Sequence, residues 1–225
     1  MATPYVRVEL GTVISTQREA RARFEGLPLL VTAEGQTGGR GRLGRDWIQA
    51  PRAVSASLAV EPGWPESRMG VLPLIAGLAA GEAAGKSVSL KWPNDLILGG
   101  RKIGGILIEA AGPLVVVGFG LNLWWPDPIE GAGALLGIDP GPRVPGRVAE
   151  QWADDFLERM AKGPGGWGRE EYSSVCSTLG MQITWEPDGS GTAVAIGGDG
   201  GLVVSTPGGE VVLDSGEISE VRPAS

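Results

Sequence analysis

Two clusters of polar residues in this chain have the types and spacing needed for chemistry on anions. The first runs Gly35-Gln36-Thr37-Gly38-Gly39-Arg40-Gly41-Arg42-Leu43-Gly44-Arg45-Asp46-Trp47 and gathers five glycines and three arginines into thirteen residues. Glycine lets the backbone approach a ligand and bare its amides; arginine offers planar forks that match phosphate or carboxylate oxygens. The second is Lys91-Trp92-Pro93-Asn94-Asp95 followed by Lys102-Ile103-Gly104-Gly105-Ile106-Leu107. It sets two ammonium groups, an amide and a carboxylate at the base of a hairpin, in a chain whose lysines are only 86, 91, 102 and 162. The chain has no histidine and a single cysteine, Cys176. The commonest general base and metal ligand is therefore missing, zinc is disfavoured, and chemistry falls to Lys, Arg, carboxylates and backbone amides. Each cluster has a plainer alternative. Lys91 and Lys102 would also suit the charged face of a half-solvated sheet, and the arginine loop a solvated connection or an Arg-Gly-Gly-type nucleic-acid patch. The net charge of −7 weighs against nucleic acid as the main partner. Placement directly after a buried strand weighs against a free solvated loop, so anion binding is favoured over both.

The elements that must position these clusters follow from periodicity and turn chemistry. Leu29–Glu34 reads as a buried strand leading into the arginine loop, which is not a Walker A loop because no Gly-Lys-Ser/Thr follows. Residues 95–98 and 103–109 read as the two arms of a hairpin turned at Gly99-Gly100. Residues 1–10 read as irregular and ending in a strand. Ser15 or Thr16 looks like an N-cap for a helix over 18–23, and the exposed N–H groups there suit a polar ligand. A strand over 53–61, an apolar helix over 66–85 bent near Pro73, and a strand from Leu114 follow. Gly118-Phe119-Gly120 lacks the third glycine of a dinucleotide-binding turn. Residues 124–145 read as a long loop over the site, 148–162 as an amphipathic helix, and 167–179 as a second helix. From 181 onward, short strands over 182–186, 192–196, 202–205 and 210–213 alternate with Asp-Gly and Pro-Gly-Gly turns, as in a small barrel. The 225 residues, with 42% hydrophobic and 20% charged, suit a soluble globular chain. No signal sequence and no apolar run near the roughly 20 residues of a membrane span are present. A cytoplasmic protein with no membrane partner is expected.

Taken together, three segments resemble the biotin protein ligases. Residues 39–47 are similar to that family's Gly-Arg-Gly-Arg-x-Gly-Arg-x-Trp loop. Lys91–Asp95 and Lys102–Leu107 are similar to its Lys-Trp-Pro-Asn-Asp and Lys-x-x-Gly-Ile-Leu elements, and Gly118–Asn122 to its Gly-x-Gly-x-Asn strand end. The resemblance covers about residues 10–225. It implies an α+β fold, a mixed β-sheet flanked by helices over 1–178, with a small C-terminal SH3-like β-barrel over 179–225. It also implies a reaction in which the biotin carboxylate attacks the α-phosphorus of ATP to give biotinyl-5′-AMP and pyrophosphate. A lysine of a biotin carboxyl carrier protein then takes the biotinyl group.

Carried over residue by residue, the resemblance makes Lys102, Arg40 and Arg42 the catalytic cations. Ser15, Thr16, Gln17, Gln36, Arg40, Gly41, Arg42, Lys102, Gly104 and Gly105 would hold biotin. Gln17 departs from the usual Asn, although its amide offers the same donor and acceptor. Arg42, Arg45, Trp47, Lys91, Asn94, Asp95, Asn122 and Trp125 would serve ATP, with Trp47 packed on the bound intermediate and Trp125 stacked on adenine. Magnesium is expected on the nucleotide, with no dedicated protein cage. A monomer or homodimer is expected. Too few residues precede Ser15 for a helix-turn-helix domain, so no DNA binding is expected. A lipoate ligase shares the fold and the reaction; the polar Ser-Thr-Gln run favours a ureido ring over an apolar dithiolane. A non-enzymatic nucleic-acid module would leave Lys102 without a role.

Overall fold

The computed structural model describes residues 4–85 and 88–214. Seven strands form one mixed sheet, in the order β1-β2-β3-β7-β6-β5-β4. They are β1 Val6–Val13, β2 Leu29–Gln36, β3 Arg52–Val60, β4 Ser89–Lys91, β5 Asp95–Leu98, β6 Arg101–Ala111 and β7 Leu114–Trp124. β1 and β2 are parallel, which requires a crossover, and helix α1 (Thr16–Arg23) supplies it. All other neighbours are antiparallel.

Near-continuous apolar strands imply a sheet covered on both faces, and the alternation bears this out. Leu30, Leu58, Val60, Val115, Val117 and Phe119 join the large core beneath helices α2 (Leu72–Ala84) and α3 (Val144–Ala161). Leu29, Val31, Ala59 and Val116 point the other way, to Ala20 of α1. Helix α2 is apolar on almost every side because the sheet lies beneath it and α3 lies against it. A 3₁₀ stretch, Glu66–Val71, precedes it. Pro73 falls in its first turn, where the missing N–H costs nothing, and Gly85 ends it at φ +62°. On α3 the buried residues Ala149, Trp152, Ala153, Phe156 and Leu157 follow helical spacing. Trp152 lies between Phe119 and Phe156, at centroid distances of 5.0 and 6.0 Å, and its indole N–H donates to the Ala76 carbonyl at 3.1 Å.

The second sheet is a four-stranded antiparallel meander, β8 Gln182–Trp185, β9 Gly189–Ile196, β10 Leu202–Thr206 and β11 Gly209–Leu213. The expected barrel extends into residues 215–225, which lie outside the described residues. Its inner side chains Ile183, Ala193, Ile196, Leu202, Val204 and Leu213 are continuous with the main core. Two indoles fasten the turn between β9 and β10: Trp92 Nε1 donates to Gly200 O at 2.9 Å and Trp167 Nε1 to Gly198 O at 3.1 Å. Gly200 sits at φ +93°, and a Cβ there would come within 2.8 Å of the Gly70 carbonyl.

Three expectations are corrected. Residues 6–13 are a full strand, because pairing with β2 supplies a ladder that local sequence does not reveal. The helix expected from 148 begins at Val144, with Pro145 in its first turn. The helix expected over 167–179 is confined to α4, Arg169–Val175. Beyond it the chain unwinds so that Ser177 N–H can donate to Leu90 O at 2.9 Å and Thr178 Oγ1 can accept from Trp92 N–H at 2.9 Å. Among the described residues no helix is long and apolar enough to cross a membrane.

Trp152 is the largest side chain in the contact between α3 and the sheet. Trp152→Ala is expected to cost about 3–5 kcal/mol of stability, read from urea unfolding followed by circular dichroism. Trp152→Phe should cost clearly less, since it keeps the ring and loses only area and one hydrogen bond.

Candidate functional site

The face of the sheet that carries α1 is nearly bare at its centre. On β3, β7 and β6 the positions directed to it include Ser57, Gly118, Gly120 and Gly105, with Ser57 opposite Gly118 and Gly105 opposite Gly120. The space above them is a cleft of about 500 Å³. One end is closed by the start of α1, the roof by the arginine loop, and the far end by the β4–β5–β6 hairpin.

At the α1 end the polar groups interlock. Ser15 is the N-cap residue in extended conformation, but its side chain makes no capping bond. That role passes to Gln36, whose Oε1 accepts from Thr16 N–H at 2.8 Å and Thr16 Oγ1–H at 3.1 Å. Ser57 Oγ–H donates to Thr16 Oγ1 at 2.8 Å. Gln17, 8% exposed, places its Nε2 at 3.4 Å from both Leu107 O and Val116 O and leaves Oε1 without a protein partner. The Gln17 amide lies on Gly118, where a Cβ would come within 3.2 Å of it.

The arginine loop is folded back on itself. Gly41 N–H donates to Arg45 O at 2.7 Å, Trp47 N–H to Gly39 O at 3.0 Å, and Arg40 forms a bridge with Asp46. The turn of the hairpin, Arg42–Gly44, holds Leu43 at φ +57°, a conformation uncommon for a branched residue, beside Gly44 at φ +73°. Trp47 reaches across to the floor, and a Cβ on Gly120 would come within 2.8 Å of its ring. Arg42 points inward, with Nη1 donating to Asn94 Oδ1 at 3.2 Å. Burial lowers the Arg42 pKa, Asp95 nearby raises it, and Arg45 adds to the lowering. The result is a desolvated cation that an anionic ligand would relieve.

The hairpin supplies the opposing wall. Gly99 and Gly100 both have positive φ, 57° and 77°, as a two-residue turn with right-handed strand twist demands. Lys91 is paired with Asp95 across β4 and β5. Lys102 Nζ lies 2.6 Å from Asp95 Oδ1, with the two side chains 42% and 23% exposed. Asn94 is held by its Nδ2 donating to Ile106 O at 3.1 Å, and Ile106 N–H donates to Asn94 O at 2.9 Å.

Five cations (Arg40, Arg42, Arg45, Lys91 and Lys102) line this cleft against two carboxylates, Asp46 and Asp95. Ser15, Thr16, Gln17, Gln36, Gly41, Trp47, Asn94 and Gly105 line it as well. Three expected residues are not on its wall. Gly104 sits against β7, where a Cβ would meet the Gly120 carbonyl at 2.6 Å. Asn122 is 3% exposed and spends its Nδ2 on Gly133 O at 3.1 Å. Trp125 is half-buried in the 124–143 segment, which runs beside β6 and β7 rather than over the cleft. Ser57 and Leu43 line the cleft without having been given a role, and Gly118 and Gly120, noted only as parts of a strand-end motif, form its floor. Serines at alternate positions of the apolar β3 were the available signal for Ser57.

Comparison with known proteins gives the chain its family. The sequence profile of the Biotin/lipoate A/B protein ligase family matches residues 11–122. A biotin–[acetyl-CoA-carboxylase] ligase of Mycobacterium tuberculosis is 32% identical over 223 residues, covering 89% of this chain and 81% of the relative. One from Paracoccus denitrificans is 28% identical, covering 91% and 96%. Among solved structures, the biotin protein ligase from Aquifex aeolicus in complex with biotin and ATP superposes with a TM-score of 0.82 at 27% identity, covering 97% of this chain and 99% of the other. The chain belongs to the Biotin/lipoate A/B protein ligase family and, within it, to the biotin protein ligases.

Proposed function

We propose that this protein joins biotin to ATP in the cleft above Gly118 and Gly120 and passes the biotinyl group to a lysine of a biotin carboxyl carrier protein. The observation that carries the reading is the convergence of Gln17, Arg42 and Lys102 on one cavity, a neutral polar end facing a cationic one. Gln17 Oε1 is a buried acceptor free to take a ureido N–H, with the Thr16, Gln36 and Ser57 network behind it. A dithiolane acid offers no donor there and would leave that acceptor unpaired, a penalty that favours biotin over lipoate.

In the first step a biotin carboxylate oxygen bonds to the α-phosphorus, and the bond to the departing pyrophosphate breaks. Negative charge collects on the α-phosphate oxygens and the leaving group, so fixed cations there lower the barrier. Lys102 serves that place, held ready by Asp95, and Arg42 faces it from the loop. Asn94, Asp95, Arg45 and Lys91 serve the nucleotide, and Trp47 covers the intermediate. Magnesium supplies charge neutralisation on the triphosphate when bound. Among the described residues, Asp46 and Asp95 are the only carboxylates lining the cleft and one is paired with Lys102, a donor set that suits a metal carried on phosphate and water. In the second step the carrier's lysine amine, having lost a proton, attacks the acyl carbon and AMP departs. The folded-back arginine loop keeps water off the mixed anhydride meanwhile. Its glycines make its order costly, so it loosens without ligand. The buried thiol of Cys176 suits a reducing, cytoplasmic setting. No DNA partner is required, and a monomer or homodimer serves equally.

Incubation with ATP, magnesium, biotin and a carrier domain, followed by streptavidin blotting, tests the reading; no labelled carrier would refute it. Biotin, and not lipoate, is expected to drive ATP–pyrophosphate exchange. Lys102→Ala is expected to lower biotin-dependent exchange by ~10²–10³-fold, while partly sparing transfer from supplied biotinyl-AMP. Unchanged pyrophosphate release would remove Lys102 from the chemistry. Arg42→Gly is expected to release biotinyl-AMP and label bystander lysines, seen as added bands on the blot. Labelling still confined to the carrier would overturn the shielding role.

A further inference from the structure

β1 is an edge strand without the usual protection. It is eight residues long, pairs with β2 on one side, and among the described residues has no strand on its other side. Edge strands are normally kept from joining another chain by shortness, a proline, a lysine or a covering segment. The opposite edge of the sheet has two of these. β4 is only three residues long, and the 176–178 segment lies along it, with Ser177 N–H donating to Leu90 O and Trp92 N–H to Thr178 Oγ1. β1 has no such cover, no proline and no lysine.

The groups it leaves open can be named. Val6 N–H donates to Pro28 O at 2.8 Å, so the main chain of Val6 faces β2. Strand residues alternate, and the N–H and C=O of Arg7 and Glu9 therefore point out of the sheet. Their side chains share the face that carries α3. Arg7 lies over the Tyr5 ring at 5.2 Å and pairs with Glu150 at 2.8 Å, while Glu9 is exposed and has no ion-pair partner among the described residues. Val6, Val8 and Leu10 occupy the other face, where Val8 and Leu10 pack beside α1. Val6 is 48% exposed, and Leu27, in the turn beside it, is 63% exposed.

We propose that a second copy of this chain docks antiparallel on β1, with the two-fold axis at Val8, so that one sheet runs through both copies. An axis there sets Arg7 of each copy opposite Glu9 of the other. Both residues point outward, so each such pair exchanges two backbone bonds as well as opposite charges. Val8 meets its own mate and Val6 meets Leu10, so apolar side chains face apolar ones. Sliding one copy by two residues either way would set Arg7 against Arg7 or Glu9 against Glu9, like charges that oppose the pairing. The strand is thus complementary to itself in one register, as an isologous contact requires. The proposal stands apart from the reading of the cleft, which uses none of these residues.

Sedimentation velocity of the full chain between about 1 and 100 μM tests it. The wild type is expected to show a concentration-dependent dimer. Arg7→Glu and Glu9→Lys each place two like-charge contacts across the axis, and each should weaken the dimer by about tenfold or more. Mixed in equal amounts, the two variants should recover it as a heterodimer, because each new charge then meets its opposite. Arg7→Glu also gives up the contact with Glu150, so circular dichroism checks that both variants fold. If Arg7→Glu does not, Glu9→Lys and Glu9→Pro decide: proline removes an N–H that points away from β2 and leaves the β1–β2 ladder whole, and both should lose the dimer. A wild type that stays monomeric throughout would overturn the proposal. So would a dimer that the variants retain, the mark of contact through another surface, or a mixture that remains monomeric.

Discussion

Two anions must be brought into contact inside a protein that is itself negative, and the rest of the site follows from that constraint. At 4 Å, two unit charges of like sign repel by about 4 kcal/mol at an effective dielectric near 20. A chain of net charge −7 therefore needs a local excess of cations. It gets one by folding two distant stretches, residues 40–45 and 91–102, over one cleft. The same concentration has to be stable when the cleft is empty. Asp95 answers this for Lys102 with an ion pair at 2.6 Å, and Asn94 gives Arg42 a neutral acceptor. Neither partner is so deeply buried that an incoming phosphate could not compete for the cation.

The floor makes this arrangement possible. Had Gly120 carried a side chain, Trp47 would have to move, since a Cβ there would come within 2.8 Å of its ring, and one on Gly118 would press on Gln17 at 3.2 Å. A sheet face of serine and glycine thus gives up apolar packing in exchange for room, and packing on the opposite face makes up the core. There Phe119, one residue from either glycine, packs against Trp152 with the rings tilted by 32°. The period-two alternation of β7 lets one strand be both cavity floor and core.

Much of this was legible in the residues themselves. The Gly99-Gly100 turn, the buried strand before the arginine loop and the alternating small strands after 181 are set by local chemistry, and the structure has them. So is the helix start at Thr16, although its amide is satisfied by Gln36, twenty residues away, instead of by Ser15. What stayed hidden depends on pairing at long range. β1 exists because β2 lies beside it; α4 stops early because β4 recruits the following residues. Asn122 sits at the end of a motif-bearing strand and off the cleft wall; its Nδ2 donates to Gly133 O, a long-range contact that no motif announces, and its Oδ1 has no protein partner. Trp125 lies in a proline-rich stretch whose path is set by backbone bonds to β6 and β7, which no periodicity announces.

Trp92 carries a consequence for how such a chain can change. Its backbone N–H and its indole are bound respectively to Thr178 and to Gly200, while Asn94 and Asp95, two and three positions on, face the reactants. The small carboxy-terminal sheet is thus bolted to the reaction centre and cannot be swapped freely as a cassette. A chimera assembled from two related ligases would keep its turnover only if the hydroxyl and the glycine carbonyl that receive this indole-bearing residue came across together. A shift of the turn at Gly200 is therefore transmitted through one indole to the stretch that carries Asn94 and Asp95.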